Sequence, residues 1–339
     1  MARAEQRKSR KKSKLNGKLI IGFIVFEILF TLVTAPFILL YGPFETAKKT
    51  FLSTAMSSMH YKWLATTFMD EAEINEYLGI TAYQESDISN KDSDKVKIEN
   101  KNDDNNTVKC YKIPGNAKFD GYVLEVSNPK KVKVGYSSKL GKEGEKTSTI
   151  AKNNNAIAAI NGGAFTDGNA DAAQWTQNGG IPEGTIMTNG KIIFNNLSMD
   201  SKVDQIAITK DGRLLIGKWS LNELINEQDV SEIVSFTPSV LIVNGEKVVA
   251  PEMGTSPKTL IGQKENGNIL LVVLDSSTDT RISATTKESQ ELMYRLGCVT
   301  AASLDGGKST TMYYKGEIVN KPSNPTGERA IASAIVVLP

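Results

Sequence analysis

Near the C-terminus, the run Ser303-Leu304-Asp305-Gly306-Gly307-Lys308-Ser309-Thr310-Thr311 gathers a carboxylate, two glycines, a cation and several hydroxyls. An apolar run, Cys298 to Leu304, delivers Asp305 into the glycine turn, and a strand, Thr311–Tyr314, follows. Glycines permit positive φ and close backbone approach. Successive N–H groups in such a turn form an anion-binding nest. A carboxylate beside an anion cradle suits acid chemistry on a phosphorylated or otherwise anionic substrate.

The same run resembles a nucleotide-binding P-loop only at its end. That pattern requires glycine five residues before the second glycine, where this chain has Ala302. A P-loop also opens a helix, whereas Tyr313-Tyr314-Lys315-Gly316-Glu317-Ile318-Val319 reads as a hairpin turning at Lys315-Gly316. Nucleotide binding is therefore set aside. Taken alone, Asp305-Gly306 would be an ordinary turn, because Asp-Gly is a strong hairpin signal.

The only histidine is His60, far from this loop. A Ser-His-Asp triad, a histidine general acid and a His-ligated zinc site are thereby excluded around Asp305. Chemistry there must use carboxylates, hydroxyls, Lys, Arg, Tyr and backbone dipoles. An all-oxygen Ca²⁺ site is left open by these residue types, but no regular calcium loop is present, and no cofactor or metal ligand is assigned. The two cysteines, Cys110 and Cys298, allow one disulfide or two free thiols. The apolar surroundings of Cys298 point to the thiols.

Further segments add to the glycine loop. Ala158-Ala159-Ile160-Asn161-Gly162-Gly163-Ala164-Phe165 is a second apolar strand ending in a glycine turn. Ile181–Ile186, Ile206–Gly217 with its Asp211-Gly212 turn, Pro238–Gly245 and Pro257–Gly262 follow in order. Ile318–Ser323, Gly327-Glu328-Arg329-Ala330 and a terminal strand close the chain. Together, from about Ala156 to Val337, these segments resemble the phosphodiester glycosidase family. Its members cleave the bond between a sugar C1 and a phosphodiester.

The resemblance implies roles. Asp305 is the expected catalytic carboxylate and Asp275 the second one. Gly306, Gly307, Lys308 and Ser309 form one side of a phosphate cradle, with Lys258 and Arg329 as countercharge. Asn161, Gly162 and Gly163 line the sugar side, and Asn320 contacts the ligand or holds the loop. Glu183 is a third acid. The chain departs from the family at Lys258, where Arg is usual, and at Asp275-Ser276-Ser277, where Asp-Gly-Arg is usual. It departs again at Lys308, where the loop often carries Gly or Ser. Lysine keeps the charge of arginine but not its bidentate fork. Arg281 could restore a guanidinium.

The elements that must position these groups follow from composition. Residues 1–18 hold eight Lys or Arg and one Glu. Residues 19–41 carry a single charge, Glu27. About 20 apolar residues span a bilayer, so Leu19–Tyr41 is expected to contact membrane lipid as an uncleaved anchor. The basic flank stays cytoplasmic and places the rest outside the cell. Glu27 is either a partner-helix contact or a tolerated carboxylate, and Pro36 can kink the span. A cleaved signal peptide fits less well, because the apolar run is long and no clear small-residue cleavage site follows it.

Residues 42–83 read as a helical stalk. Leu52, Met56, Met59 and Trp63 recur at helical spacing within Phe44–Phe68, and Asp70–Leu78 forms a shorter helix. The stalk docks on the membrane, on a partner, or on its own domain. Residues 84–107 are rich in Asp, Lys, Asn and Ser, and read as a flexible linker. Residues 108–339 form one α+β domain with a mixed sheet, many strands and few helices. Lys287–Leu296 is the clearest helix, started by Thr285 with Glu288 as a capping box and ended by Gly297.

Three readings follow. The first is a membrane-anchored extracytoplasmic phosphodiester glycosidase acting on sugar-1-phosphodiesters in envelope or exopolysaccharide glycopolymers. The second is a non-catalytic module that binds anionic polysaccharide during assembly or export. The third is a glycosyl transferase using an acceptor other than water. Nucleic-acid binding is not expected, since anionic lipid headgroups account for the basic N-terminal run.

Overall fold

Ile269-Leu270-Leu271-Val272-Val273-Leu274 has no polar alternation, the pattern of a strand buried on both faces. In the computed structural model it is the middle of β15 (Ile269–Ser276), and its faces serve two cores. Ile269, Leu271 and Val273 enter a central core, while Leu270, Val272 and Leu274 enter an outer one. The described residues are 17–57, 61–86, 88–91, 96–98, 107–114, 118–166, 178–235, 239–252, 254–276 and 283–339. The basic tail as far as residue 16, His60, Arg281 and most of the expected linker lie outside them.

Strand β15 belongs to a seven-stranded sheet. Its order is β1 (Val108–Ile113), β2 (Phe119–Val126), β15, β14 (Lys258–Lys264), β16 (Cys298–Ser303), β12 (Val240–Val243) and β13 (Glu246–Lys247). A five-stranded sheet runs β10 (Leu214–Trp219), β9 (Val203–Thr209), β11 (Val230–Ser235), β7 (Thr185–Thr188) and β8 (Lys191–Asn195). A second five-stranded sheet runs β18 (Glu317–Ile318), β17 (Met312–Tyr314), β4 (Ala158–Asn161), β19 (Ser333–Val337) and β3 (Val132–Tyr136). The pair β5 (Phe165–Thr166) and β6 (Ile181–Pro182) stands apart.

All three large sheets turn one face to the central core, where Leu124, Ile160, Ile186, Ile206, Ile216, Ile261, Leu271, Met312 and Ile335 meet. Short helices cover the outer faces. Helix α6 (Thr147–Asn153) packs Ile150 and Ala151 on the β4–β19 sheet. Helix α7 (Leu221–Asn226) packs Leu221 and Leu224 beside Trp219. Helix α8 (Thr286–Arg295) packs Leu292 and Met293 on the seven-stranded sheet. The α+β class is as the sequence indicates, but the described ladders are all antiparallel rather than mixed. Antiparallel neighbours need only short returns, and a chain with few helices lacks the crossovers that parallel pairs require.

Helix α8 starts with the Thr285–Glu288 capping box, both halves of which form. Strands β1 and β11 and helix α6 are additional to the expected elements. Strand β11 hides in the polar-looking Val230-Ser231-Glu232, yet Glu232 is buried because its oxygens accept from Lys133 Nζ and from the Val134 and Asn189 N–H groups. The two cysteines are free thiols. Three intervening strands, β2, β15 and β14, separate their strands.

At the N-terminus, α1 (Gly17–Tyr41) is the one described helix long and apolar enough to cross a membrane. The expected helix over Phe44–Phe68 is instead α2 (Glu45–Met56) and α3 (Trp63–Thr66), followed by α4 (Glu71–Tyr77), capped by Asp70, and α5 (Ile80–Glu85). These helices dock on their own domain. The Tyr83 hydroxyl accepts from the Val240 N–H at 3.0 Å, and Thr54 lies against Gly254. The described part of the expected linker is docked too. Buried Asn90 bonds Leu214 O at 2.8 Å and the Ile216 N–H at 2.9 Å.

Candidate active site

Four strand ends converge at one edge of the domain. Strands β4, β15 and β16 finish there with Asn161, Asp275-Ser276 and Ser303, and β14 begins there with Lys258-Thr259. The Leu304 N–H donates to Thr259 O at 2.7 Å, which holds the chain as it leaves β16 for Asp305.

Asn161 organises this edge. It is fully buried, and its Nδ2 donates to the main-chain carbonyl of Asp305 at 2.6 Å. Its Oδ1 accepts from the Thr259 hydroxyl at 2.7 Å and from the Thr311 N–H at 3.2 Å. One carboxamide therefore ties β4 to β14 and to both sides of the glycine loop. The sequence placed Asn161 on the sugar side; the structure places its side chain inside the framework. Thr259, to which the sequence assigned no role, is part of this framework. Period-two alternation with the core residue Ile261 was the signal that could have marked its face.

The neighbouring glycines serve close packing. A Cβ on Gly162 would lie 2.6 Å from Ser333 Oγ, and one on Gly163 would lie 2.2 Å from Ser235 O. The Gly162 carbonyl accepts from the Asp305 N–H at 3.3 Å. The two glycine turns, 144 residues apart in sequence, are thus joined directly at Asp305.

In the loop after Asp305, Gly307 has φ +61°, and its N–H donates to Pro257 O at 2.8 Å. A Cβ on Gly306 would stand 2.7 Å from the same oxygen. The N–H groups of Ser309 and Thr310 donate to Gly306 O and Gly307 O in a short 3-10 turn. The expected open anion nest is therefore largely closed on protein carbonyls. Ser309 is buried, and its hydroxyl has no hydrogen-bond partner among the described residues. Asp305 and Lys308 are half-buried, and the Oδ2 oxygen of Asp305 is itself enclosed.

Asp275 is 3% exposed. Its Oδ2 accepts from the Lys321 N–H at 2.5 Å and from Asn320 Nδ2 at 3.5 Å, and its Oδ1 accepts from the Ser276 N–H at 2.9 Å. Burial raises its pKa above the ordinary aspartate value and Asp120, opposite it on β2, adds to the rise, although the Lys321, Ser276 and Asn320 donors oppose it. Asn320 also donates to Thr310 O at 3.1 Å and accepts from the Met312 N–H at 2.8 Å. Asp275 and Asp305 thus flank one connected network through Asn320, Thr310, Thr311 and Asn161.

Lys258 departs from the expected cradle. Strand alternation puts it with Leu260 on the outer face, opposite Thr259 and Ile261. Its Nζ donates to Gly254 O at 3.0 Å. Burial pushes its pKa down to about 8, against a smaller upward pull from Glu252. A cleft of about 330 Å³ near this face is lined by Glu45, Lys49, Thr50, Tyr77, Glu252 and Thr255, between the N-terminal helices and the domain. It is not the cleft of the Asp305 edge.

The Arg329 guanidinium stands 4.8 Å from the Phe165 ring centre. Its neighbour Glu328 accepts from the Ser148 N–H at 2.9 Å and hydroxyl at 2.6 Å at the start of α6. Glu183 is exposed, and its N–H donates to Ala164 O. No group of three or more His, Cys, Asp or Glu that could hold a metal occurs among the described residues.

The sequence model of the phosphodiester glycosidase family matches residues 154–338. Among solved structures, the chain is similar to the zebrafish N-acetylglucosamine-1-phosphodiester alpha-N-acetylglucosaminidase catalytic domain auto-inhibited by its pro-peptide. That match has 22% identity and a TM-score of 0.55, and covers 69% of this chain and 83% of that one. A hypothetical protein from Synechocystis matches at 16% identity and a TM-score of 0.47, over 68% of this chain and 62% of that one. The zebrafish match shows a shared fold. Comparison with curated proteins gave no match.

Proposed function

The chain belongs to the phosphodiester glycosidase family, and from that premise we propose that it hydrolyses the C1–phosphate bond of sugar-1-phosphodiesters. The proposed substrates are envelope or exopolysaccharide glycopolymers on the outer side of a membrane crossed by α1. The observation that carries this reading is the joining of the two glycine turns at Asp305. It fixes the main chain of a half-buried Asp305 where four strand ends meet.

Cleavage at an anomeric carbon passes through an oxocarbenium-like transition state, which a nearby carboxylate stabilises or captures covalently. Asp305 is suited to that task, since its main chain is held at both N–H and C=O and the residue is only half-buried at the converging strand ends. A phosphate leaves readily, so the absence of histidine from this domain is no obstacle. Arg329 and Lys308 supply countercharge to the phosphate. Lys258 is left out of the cradle, because its ammonium serves Gly254 O on the opposite face of the sheet.

Asp275 acts as a positioning residue. Both its oxygens are engaged, and through Lys321 and Asn320 it sets the segment that backs the glycine loop. Asn161 positions Asp305 in the same way. Gly162, Gly163, Gly306 and Gly307 allow the two turns to approach.

The test is sugar release by the full chain in detergent micelles from UDP-N-acetylglucosamine and a panel of sugar-1-phosphodiesters, with Asp305→Asn alongside. Release that the substitution abolishes supports the reading. Saturable binding of an anionic glycan without release from any substrate would favour the binding-module alternative.

A further inference from the structure

We propose that α2 to α4 form a seat that rests in the membrane interface through exposed aromatic side chains, and so fixes the height of the domain above the bilayer. This rests on the reading of α1 as a membrane span.

The outer end of α1 is covered by the helices that follow it. Leu40 is fully buried in a small core with Leu52, Ala65, Met69, Ile74 and Leu78. The Tyr41 hydroxyl donates to Phe68 O at 2.7 Å. The Phe37 ring meets the Phe68 ring edge-on, with centroids 5.8 Å apart. Phe37 lies one turn inward from Tyr41, about 6 Å along the helix axis. Phe68 is therefore held at the depth of the last turn of the span. A helix of 25 residues is about 37 Å long, against a hydrocarbon core of about 30 Å. That last turn consequently falls at the boundary between acyl chains and headgroups, and the seat begins there.

The residues around this point have the composition of an interface. Tyr61 and Trp63 are 61% and 60% exposed, and Phe44 and Tyr41 are likewise open. Tryptophan and tyrosine favour the headgroup level, where an apolar ring and a polar edge are both accommodated. Charge plays little part. Between residues 42 and 80, Lys48, Lys49 and Lys62 face Glu45, Asp70, Glu71, Glu73 and Glu76, leaving the segment acidic. Lys62 is paired with Glu71 at 2.5 Å, and Lys48 sits over the Tyr77 ring. The partner that fits is a zwitterionic lipid surface, reached by aromatic insertion.

The seat is also fixed to the domain above it. Lys218 Nζ donates to Gln84 O, and Tyr83 joins β12 as described. The depth of Tyr61 and Trp63 thus sets the distance of the Asp305 rim from the lipid.

The experiment reconstitutes the full chain and its Trp63→Phe variant into phosphatidylcholine vesicles carrying bromine shallow or deep in the acyl chains. The difference in tryptophan emission between the two proteins isolates Trp63. Carbonate extraction of the same vesicles reports whether α1 is inserted. Resistance to extraction, with loss of the Trp63 emission in shallow-brominated lipid and no added loss when anionic lipid is included, is the expected result. Resistance with Trp63 unquenched overturns the seat while leaving the anchor standing. If Trp63 is then also shielded from aqueous acrylamide, a protein surface covers the patch instead. Release by carbonate overturns the anchor itself, and the seat with it.

Discussion

The Asn161 carboxamide donates to the main-chain carbonyl of Asp305 at 2.6 Å, so the residue that ends β4 holds in place the residue that follows β16. A buried amide with such partners is costly to remove, because truncation leaves the Asp305 carbonyl without its donor and the Thr259 hydroxyl and Thr311 N–H without their acceptor. Asn161→Ala is expected to lower stability by about 2–4 kcal/mol and to reduce sugar release sharply. Thermal unfolding and activity assays on the same preparation check both.

Asp275 is the second test of the framework. Asp275→Ala strands the Lys321 and Ser276 N–H groups, and a loss of about 2–3 kcal/mol is expected. Asp275→Asn keeps one acceptor and should fold. The raised pKa gives a direction. As pH falls, Asp275 protonates earlier than an ordinary aspartate and releases its hold on the Asn320–Lys321 segment. Activity should therefore decline on the acid side in the wild type, and that limb should be absent from the weaker profile of Asp275→Asn.

Lys258 predicts a pH slope in stability. Its pKa is lowered from 10.5 to about 8 by burial, so the folded chain binds fewer protons than the unfolded chain between these values. Stability rises with pH across that window, and the penalty is fully present below about 8. The rise is about 3 kcal/mol. Lys258→Met should abolish it, as read from denaturant midpoints between pH 7 and 10.5.

Asp204 lies beside the Tyr83 hydroxyl, 3.4 Å away, where the N-terminal helices meet the domain. Burial raises its pKa from 3.8 to about 6, against the pull of Lys218 and Tyr83. The folded state then binds more protons than the unfolded state in that window. Stability falls as pH rises through it, and the penalty is complete above about 6. After allowance for partial exposure, Asp204→Asn should gain about 1–2 kcal/mol at neutral pH. It should also flatten the dependence of the melting temperature on pH between 4 and 6.

Much of this protein is determined locally. The continuous apolar run of β15, the Thr285–Glu288 capping box of α8, the apolar length of α1 and the two glycine turns each follow from neighbouring residues acting on one another. So does the family, which rests on the order of such segments. The character of a solvated or buried polar residue does not follow in this way. Glu232 sits in a core strand because Lys133 and Val134 of β3 and Asn189 of the β7–β8 turn reach it. Asn90 is buried in what reads as linker because the edge of β10 offers it two backbone partners.

The same division runs through the candidate site. The sequence by itself determined which residues could do chemistry, because carboxylates, glycines and cations carry their properties with them. Only the tertiary structure decided which of them meet. Strand alternation and sheet order sent Lys258 to one face and Thr259 to the other, and drew Asn161 inward to brace Asp305. They also buried Asp275 beneath three donors. These outcomes depend on which strands lie side by side, a long-range choice made by packing three sheets around one core.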